Sequence, residues 1–276
     1  MARLRALLID LSGTLHADST PTKDAANALK RLRSNGIVLR FVSNTSKESR
    51  SSLLDKMRKM QLDVREDELF TSLSAVRDLV AQRNLNPLYL LSPSAVTDFP
   101  PSTAPFDSVV VGLAPTSFEY AKLNEAFRLL SGETGDGKKG TVPLIATHKA
   151  LYFGDKDGSL SLGPGPFVSA LEEAAGCQAE IVGKPSESFY RRALDSLASH
   201  GFARSEIGMI GDDCRQDVGS AVYRLGLRRI LVKTGKYRPG DEGRLSSEVG
   251  GEGEKIPGPD LVCEDFASAV DELLKE

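Results

Sequence analysis

The run Ala6-Leu7-Leu8-Ile9 closes on Asp10 and the turn Leu11-Ser12-Gly13-Thr14. An uninterrupted apolar run that ends in a turn reads as a strand buried on both faces. A second such run, Ile207-Gly208-Met209-Ile210, closes on Gly211-Asp212-Asp213, with Asp217 four residues beyond Asp213. Two buried strands that each deliver acids at the carboxyl end restrict the fold more than any other feature. In open α/β sheets the ligand crevice forms at those ends. Carboxylates gathered there repel one another and need a cation, and hard oxygen donors suit Mg2+. Alone, Asp10 reads equally well as a turn or cap acid. The second acidic cluster turns it into a candidate site.

Strand-like and helix-like segments alternate along the rest of the chain. Ala25, Ala28, Leu29 and Leu32 recur at helical spacing and stop at Asn35-Gly36. Val38 to Val42 is strand-like and closes on Ser43-Asn44-Thr45-Ser46. Leu53, Leu54 and Met57 follow in a helical pattern. Such alternation predicts an α/β fold with a parallel sheet covered by helices. The middle of the chain is expected to form its own α/β unit. It has strands at Leu88–Leu91, Val109–Val111, Leu144–Ala146, Leu151–Phe153 and Ala179–Val182, and helices at Ser117–Leu130 and Phe167–Ala175. The stretch from Gly132 to Thr141, rich in Gly and charge, reads as a mobile loop, and Arg238 to Pro259 as a long one. The helical pattern Phe189–His200, the strand Ile207–Ile210, the helix Val218–Leu225 and the strand Arg229–Val232 then resume the first pattern. Leu261-Val262 and a helix over Ala267–Leu274 close it. The expected division is a core of residues 1–74 and 183–276 with an insert of 75–182.

The 276 residues are enough for a full core. A net charge of −3 leaves no basic field, which argues against nucleic acid as a partner. A phosphate would need local cations and N–H groups instead. Cys177, Cys214 and Cys263 are odd in number and widely spaced. They suit neither a disulfide framework nor a zinc site, and read as buried small hydrophobes in a reducing compartment. No stretch is apolar enough to span a bilayer, and the first residues run straight into the first strand. A cytoplasmic protein with no membrane partner is expected.

Four elements can converge on one chemistry. Asp10 can act as a nucleophile, taking a phosphoryl group and dividing one displacement into two. Asp212 can hold Mg2+ at the second strand end. Ser43 and Asn44 can donate to phosphoryl oxygens, or can simply cap the helix after Ser46. Lys184, in Val182-Gly183-Lys184-Pro185, is either a solvated surface lysine or a cation that screens Asp10 and the transferred group.

These residues resemble the motifs of the haloacid dehalogenase superfamily of phosphatases. The pattern Asp-x-Asp-Gly-Thr stands here as Asp10-Leu11-Ser12-Gly13-Thr14. A strand-end hydroxyl follows as Ser43, a lysine as Lys184, and Gly-Asp-Asp-x-x-x-Asp as Gly211 to Asp217. The insert between the second and third motifs resembles the branch with an α/β cap of the C2 type. His148-Lys149-Ala150, Leu162 to Phe167 and Val232 to Tyr237 add to the likeness. The resemblance implies a Rossmann-like core and Mg2+ held by the Asp10 side chain, the Ser12 carbonyl and Asp212. It implies a supporting role for Asp217 through water or Lys184. A cap-to-cap homodimer would fit that branch.

One position departs from the family pattern. The second acid of the first motif, which protonates the leaving oxygen and then activates water, is Ser12 here. Losing general acid–base help costs ~10²–10⁴ in rate. The expectation is therefore a Mg2+-dependent phosphatase for small phosphorylated compounds with good leaving groups, including P–N and P–O–P bonds. Asp213 or His16 are the other residues to consider as proton sources. The competing reading is a phosphate-binding or regulatory protein that keeps the fold and has lost efficient turnover.

Overall fold

A computed structural model describes residues 3–134, 140–154, 159–244 and 256–275. By its internal contacts the chain forms two units. One comprises Met1–Ser43, Leu54–Phe70 and Lys184–Glu276, and the other Asn44–Leu53 with Thr71–Gly183. The expected cuts fell after residues 74 and 182. The structure divides at 70/71 and 183/184, and places the short segment 44–53 with the second unit.

The first unit is built on a six-stranded sheet. Its order is Leu261–Cys263, Arg228–Val232, Ile207–Gly211, Ala6–Ile9, Val38–Ser43 and Leu69–Thr71. The pairings from Leu261–Cys263 across to Val38–Ser43 are parallel. Ala6–Ile9 lies at the centre and is buried at every residue. Full burial of a Leu or Ile side chain stabilises by ~1.5–3 kcal/mol, so this strand anchors the unit. The chain first builds outward on one side of it, through Val38–Ser43, and after the insert builds on the other, through Ile207–Gly211. That reversal is a topological switch point, and it opens a crevice beyond the carboxyl ends of the strands that flank it. Asp10 is the first residue past the central strand.

Helix Ala25–Ser34 buries Ala25, Ala28, Leu29 and Leu32 and packs against Phe266–Leu273. Helix Phe266–Leu273 starts at Asp265, whose side chain accepts from the Ser268 N–H. Helix Glu187–Asp195 packs on the Val38–Ser43 strand and on Ser220–Arg224. The predicted helix Phe189–His200 is thus shorter, and its tail is a separate 3-10 turn, Ala198–His200.

The second unit has a four-stranded parallel sheet in the order Glu180–Ile181, Leu144–Ala146, Ser108–Val111, Pro87–Leu90. Its core joins Leu88, Leu90, Val109, Val111, Leu144 and Ala146 to the helices Tyr120–Ser131 and Gly165–Ala175. The first of these helices begins three residues later than the sequence pattern indicates. Ser117 and Phe118 turn back onto the Ala114 carbonyl instead, and Phe118 stacks on Phe167 with ring centroids 3.9 Å apart. Tyr152–Gly154 and Leu160–Leu162 form an antiparallel pair. Strand Leu69–Thr71 and helix Ser72–Gln82, entered through a Thr71–Ser74 capping box, have no counterpart in the sequence expectations.

Of the two predicted loops, residues 135–139 and 245–255 lie outside the described residues, and a short helix, Asp241–Arg244, interrupts the second. Cys214 and Cys263 are buried as expected, whereas Cys177 is only half-buried. Among the described residues, no helix is long and apolar enough to cross a membrane.

Candidate active site

Three carboxylates meet at the switch point. Asp10 follows the central strand, Asp212 follows its neighbour Ile207–Gly211, and Asp217 lies in the loop that continues from Asp212. All three are buried, and each offers an oxygen within 4.8 Å of the others. Gly13 lets the two strand ends close up, since a Cβ there would stand 2.2 Å from Asp212 Oδ2. The Thr14 hydroxyl, 3.2 Å from Asp10 Oδ2 and 3.4 Å from Asp212 Oδ1, bridges the two acids.

Lys184 sits within this cluster with its side chain 2% exposed, so it is not the solvated surface lysine of the bland reading. Its ammonium donates to Asp10 Oδ1 at 2.5 Å, to Asp217 Oδ1 at 2.6 Å and to the Val42 carbonyl at 3.1 Å. Burial alone would lower its pKa. The two carboxylates outweigh burial and raise it, so the group stays an ammonium.

One cation does not balance three acids. Burial first, then Asp10 and Asp217, pushes the Asp212 carboxyl well above its ordinary range, against the pull of Lys236. Burial raises Asp217 as well, opposed by Lys184 and reinforced by Asp10 and Asp213. A buried, all-oxygen donor set with surplus negative charge fits a small hard cation. Asp10, Asp212 and Asp217 are the buried acids that could hold such an ion, and Asp217 is also paired with Lys184.

The remaining sequence candidates fall in different places. Ser43 is buried at the end of its strand, one residue past the Val42 carbonyl that receives Lys184. Neither Ser43 nor Asn44 caps the following helix. That helix is Arg50–Lys59, and Ser49 Oγ accepts from the Ser52 N–H at its start. Asn44 is the first residue of the second unit. Ser12 is exposed and bridges to His16 through the backbone.

Asp213 is half-buried, and its Oδ1 accepts from the N–H groups of Arg215 and Gln216 at 3.0 Å each. Burial would raise its pKa, but Lys236 and those donors lower it overall, so it is ionised and shapes the loop. His16 is buried. Its Nδ1 donates to the Asp18 carbonyl at 2.9 Å, and Nε2 has no hydrogen-bond partner. Burial and then Lys56 lower its pKa, against Asp10 and Asp18, so the ring is neutral near neutral pH. The surroundings of both residues thus favour the deprotonated carboxylate at Asp213 and the neutral ring at His16.

Several contributors escaped sequence reasoning. Tyr190 is fully buried, and its hydroxyl donates to the Gln216 carbonyl, tying the helix after Lys184 to the acidic loop. The turn Thr234-Gly235-Lys236 abuts both Asp212 and Gly13. Only the likeness of Val232 to Tyr237 to family strings pointed toward it.

A doubly wound parallel sheet with carboxylates gathered from adjacent strand ends and a buried lysine paired to Asp10 and Asp217 defines an α/β protein of the haloacid dehalogenase type. Residues 7–98 match the family model described as haloacid dehalogenase-like hydrolase, and residues 181–269 match a second, HAD-hydrolase-like model. Haloacid dehalogenase-like hydrolase domain-containing protein 2 of Bos taurus is 48% identical over 273 residues, covering 99% of this chain and 96% of the relative. The phospholysine phosphohistidine inorganic pyrophosphate phosphatase of Homo sapiens is 32% identical over 280 residues, covering 100% and 96%. Among solved structures, a p-nitrophenyl phosphatase from Archaeoglobus fulgidus superposes with a TM-score of 0.81 at 24% identity, over 98% of this chain and 100% of that one. This chain belongs to the haloacid dehalogenase-like hydrolase family.

Proposed function

We propose that the protein is a Mg2+-dependent phosphatase that works through an aspartyl-phosphate on Asp10. Its substrates are small phosphorylated compounds, or P–N and P–O–P bonds, with good leaving groups. The observation that carries this reading is the cluster of Asp10, Asp212 and Asp217 around the buried Lys184 ammonium. Bound Mg2+ would neutralise charge on the carboxylates and on the phosphoryl oxygens.

The chain's own groups do the rest. The Asp10 carboxylate oxygen attacks phosphorus as the bond to the leaving group breaks, and water then releases phosphate from Asp10. Lys184 holds Asp10 in place and offers positive charge to the transferred group. Ser43, at the adjacent strand end, is assigned to the phosphoryl oxygens with Asn44 next to it in sequence. Ser12 contributes its carbonyl, not an acid, and this is why leaving groups that depart without a proton are favoured. The names of two similar proteins, a phospholysine, phosphohistidine and pyrophosphate phosphatase and a p-nitrophenyl phosphatase, support that substrate range.

The same reading includes a cytoplasmic location and a homodimer through the second unit. The outward-facing Leu151, Tyr152, Leu160 and Leu162, each more than half exposed, support the dimer. The test of activity is hydrolysis of 4-nitrophenyl phosphate by metal-free protein, with and without added Mg2+. Turnover that needs Mg2+ supports the phosphatase. Ser12 favours the second reading, a phosphate-binding or regulatory protein. Phosphate binding with no Mg2+-dependent turnover on any phosphorylated substrate would decide for it.

A further inference from the structure

After the strand Arg228–Val232 the chain enters Lys233-Thr234-Gly235-Lys236, a turn with no acid of its own. Three contacts pin it between the two acid-bearing loops. The Lys236 N–H donates to Asp212 Oδ2 at 2.6 Å. The Thr234 hydroxyl donates to the Gly13 carbonyl at 2.6 Å. At Gly235 the turn has no room for a side chain. A Cβ would lie 2.1 Å from Asp212 Oδ2 and 2.6 Å from Gly13 Cα, and the backbone has φ +53°, which favours glycine.

The two oxygens of Asp212 are thereby made unequal. Oδ2 faces the turn and is taken by its N–H group. Oδ1 faces Thr14, whose hydroxyl also reaches Asp10 Oδ2. Holding the Gly13 carbonyl also restricts the peptide that precedes it, which carries the Ser12 carbonyl. We propose that Thr234-Gly235-Lys236 is a positioning element: by taking Asp212 Oδ2 it leaves Oδ1 as the oxygen available to a cation, and by holding the Gly13 carbonyl it fixes the turn that follows Asp10. This rests on the Mg2+ site of the proposed function. Hydrogen bonds that orient metal ligands commonly matter 10–100-fold in affinity. The contact to Asp212 is made by the Lys236 backbone N–H; the Lys236 side chain, 41% exposed, pairs instead with Asp213, its Nζ 3.1 Å away.

Titration calorimetry of Mg2+ into metal-free, full-length protein tests this without reference to turnover. Thr234→Val should bind Mg2+ ~10-fold more weakly, and Thr234→Ser should restore wild-type affinity because it restores the hydroxyl. Lys236→Ala keeps the backbone N–H and should stay within ~3-fold of wild type. Gly235→Ala should lose ~10-fold or more. Unfolding midpoints in chelator establish that each variant is folded. Should Gly235→Ala not fold, the Thr234 pair decides alone. Folded Thr234→Val that binds Mg2+ like wild type overturns the proposal, as does a Thr234→Ser variant no better than the valine. A wild-type protein that binds no Mg2+, or an Asp212→Asn variant that titrates like wild type, is a different result. It would overturn the metal reading beneath.

Discussion

The two units use the same sheet and finish it differently. Both have fully buried central parallel strands, Ala6–Ile9 and Ile207–Gly211 in the first and Ser108–Val111 and Leu144–Ala146 in the second. In the first unit the carboxyl ends of these strands carry Asp10 and Asp212, both buried: Lys184 pairs with Asp10, and the Lys236 N–H donates to Asp212. In the second unit the ends are neutral. Val111 gives way to Gly112-Leu113 and Ala146 to Thr147-His148. The Leu113 N–H donates to Ser46 Oγ at 2.9 Å, and His148 Nε2 lies 3.4 Å from that same oxygen. One architecture therefore supports two electrostatic regimes. Among the described residues the neutral end carries no buried carboxylate, although Thr147 Oγ1 is buried there with no hydrogen-bond partner, whereas the charged end gathers acids that a cation can relieve.

That contrast breaks most sharply at Asp10. Asp10→Asn should reduce turnover ~10³-fold or more while leaving the fold intact, because the amide keeps the shape and loses the nucleophile. Steady-state assay with circular dichroism checks it, and residual wild-type activity would remove Asp10 from the mechanism. Lys184→Met should destabilise the metal-free protein by ~3–5 kcal/mol at neutral pH, since Asp10 and Asp217 are then left facing one another without a cation. Denaturant unfolding should recover part of that loss as the pH falls and the carboxyls protonate.

Asp212→Ala should weaken Mg2+ binding ~100-fold or more, and more than Lys184→Ala does. In the wild type, Asp212 and Asp217 have raised folded-state pKa values, so protons compete with the metal. Mg2+ affinity should fall from about pH 8 to about pH 6, with proton release on binding. Calorimetry in buffers of different ionisation enthalpy reads both. Ser12→Asp should raise the rate on alkyl phosphates ~10-fold, and that of aryl phosphates less in a single turnover, because only the former need a proton on the leaving oxygen. In the neutral unit, Ser46→Ala should cost about 1 kcal/mol by orphaning the Leu113 N–H, with Mg2+ affinity unchanged. A Mg2+ affinity that moves with Ser46 would mean that the two regimes are not separate.

How much of this could be read beforehand depended on whether a residue's partner lay nearby in sequence. Ala6–Ile9 and Ile207–Gly211 were legible because burial on both faces writes an unbroken apolar run. Asp10 and Asp212 were legible because they end those runs. The strand Leu69–Thr71 was not, since three residues carry no periodicity, and the helix behind it shows mixed Ser, Arg and apolar positions. Lys184 alone would pass for a surface lysine, and only the order of the four motifs marked it. The Thr234 hydroxyl and the Gly13 carbonyl are 221 residues apart, and nothing in either segment announces the other. His16 and Asp213 were reasonable proton donors by residue type. Their surroundings, which leave one ring neutral and one carboxyl ionised, belong to the folded chain.

Lys184 has one more consequence, in how the molecule would answer a chemist's reagents. An amine must shed its proton and reach solvent before it can attack an acylating agent or an aldehyde. Lys184 does neither, being walled in and kept protonated by Asp10 and Asp217. Lys236, 41% exposed but paired with Asp213 and, against its partial burial, held protonated by the acids around it, would label more slowly than the open lysines on the surface. A footprint of reactive amines would trace the outline of this protein and leave a blank at Lys184, the cation around which the carboxylates gather.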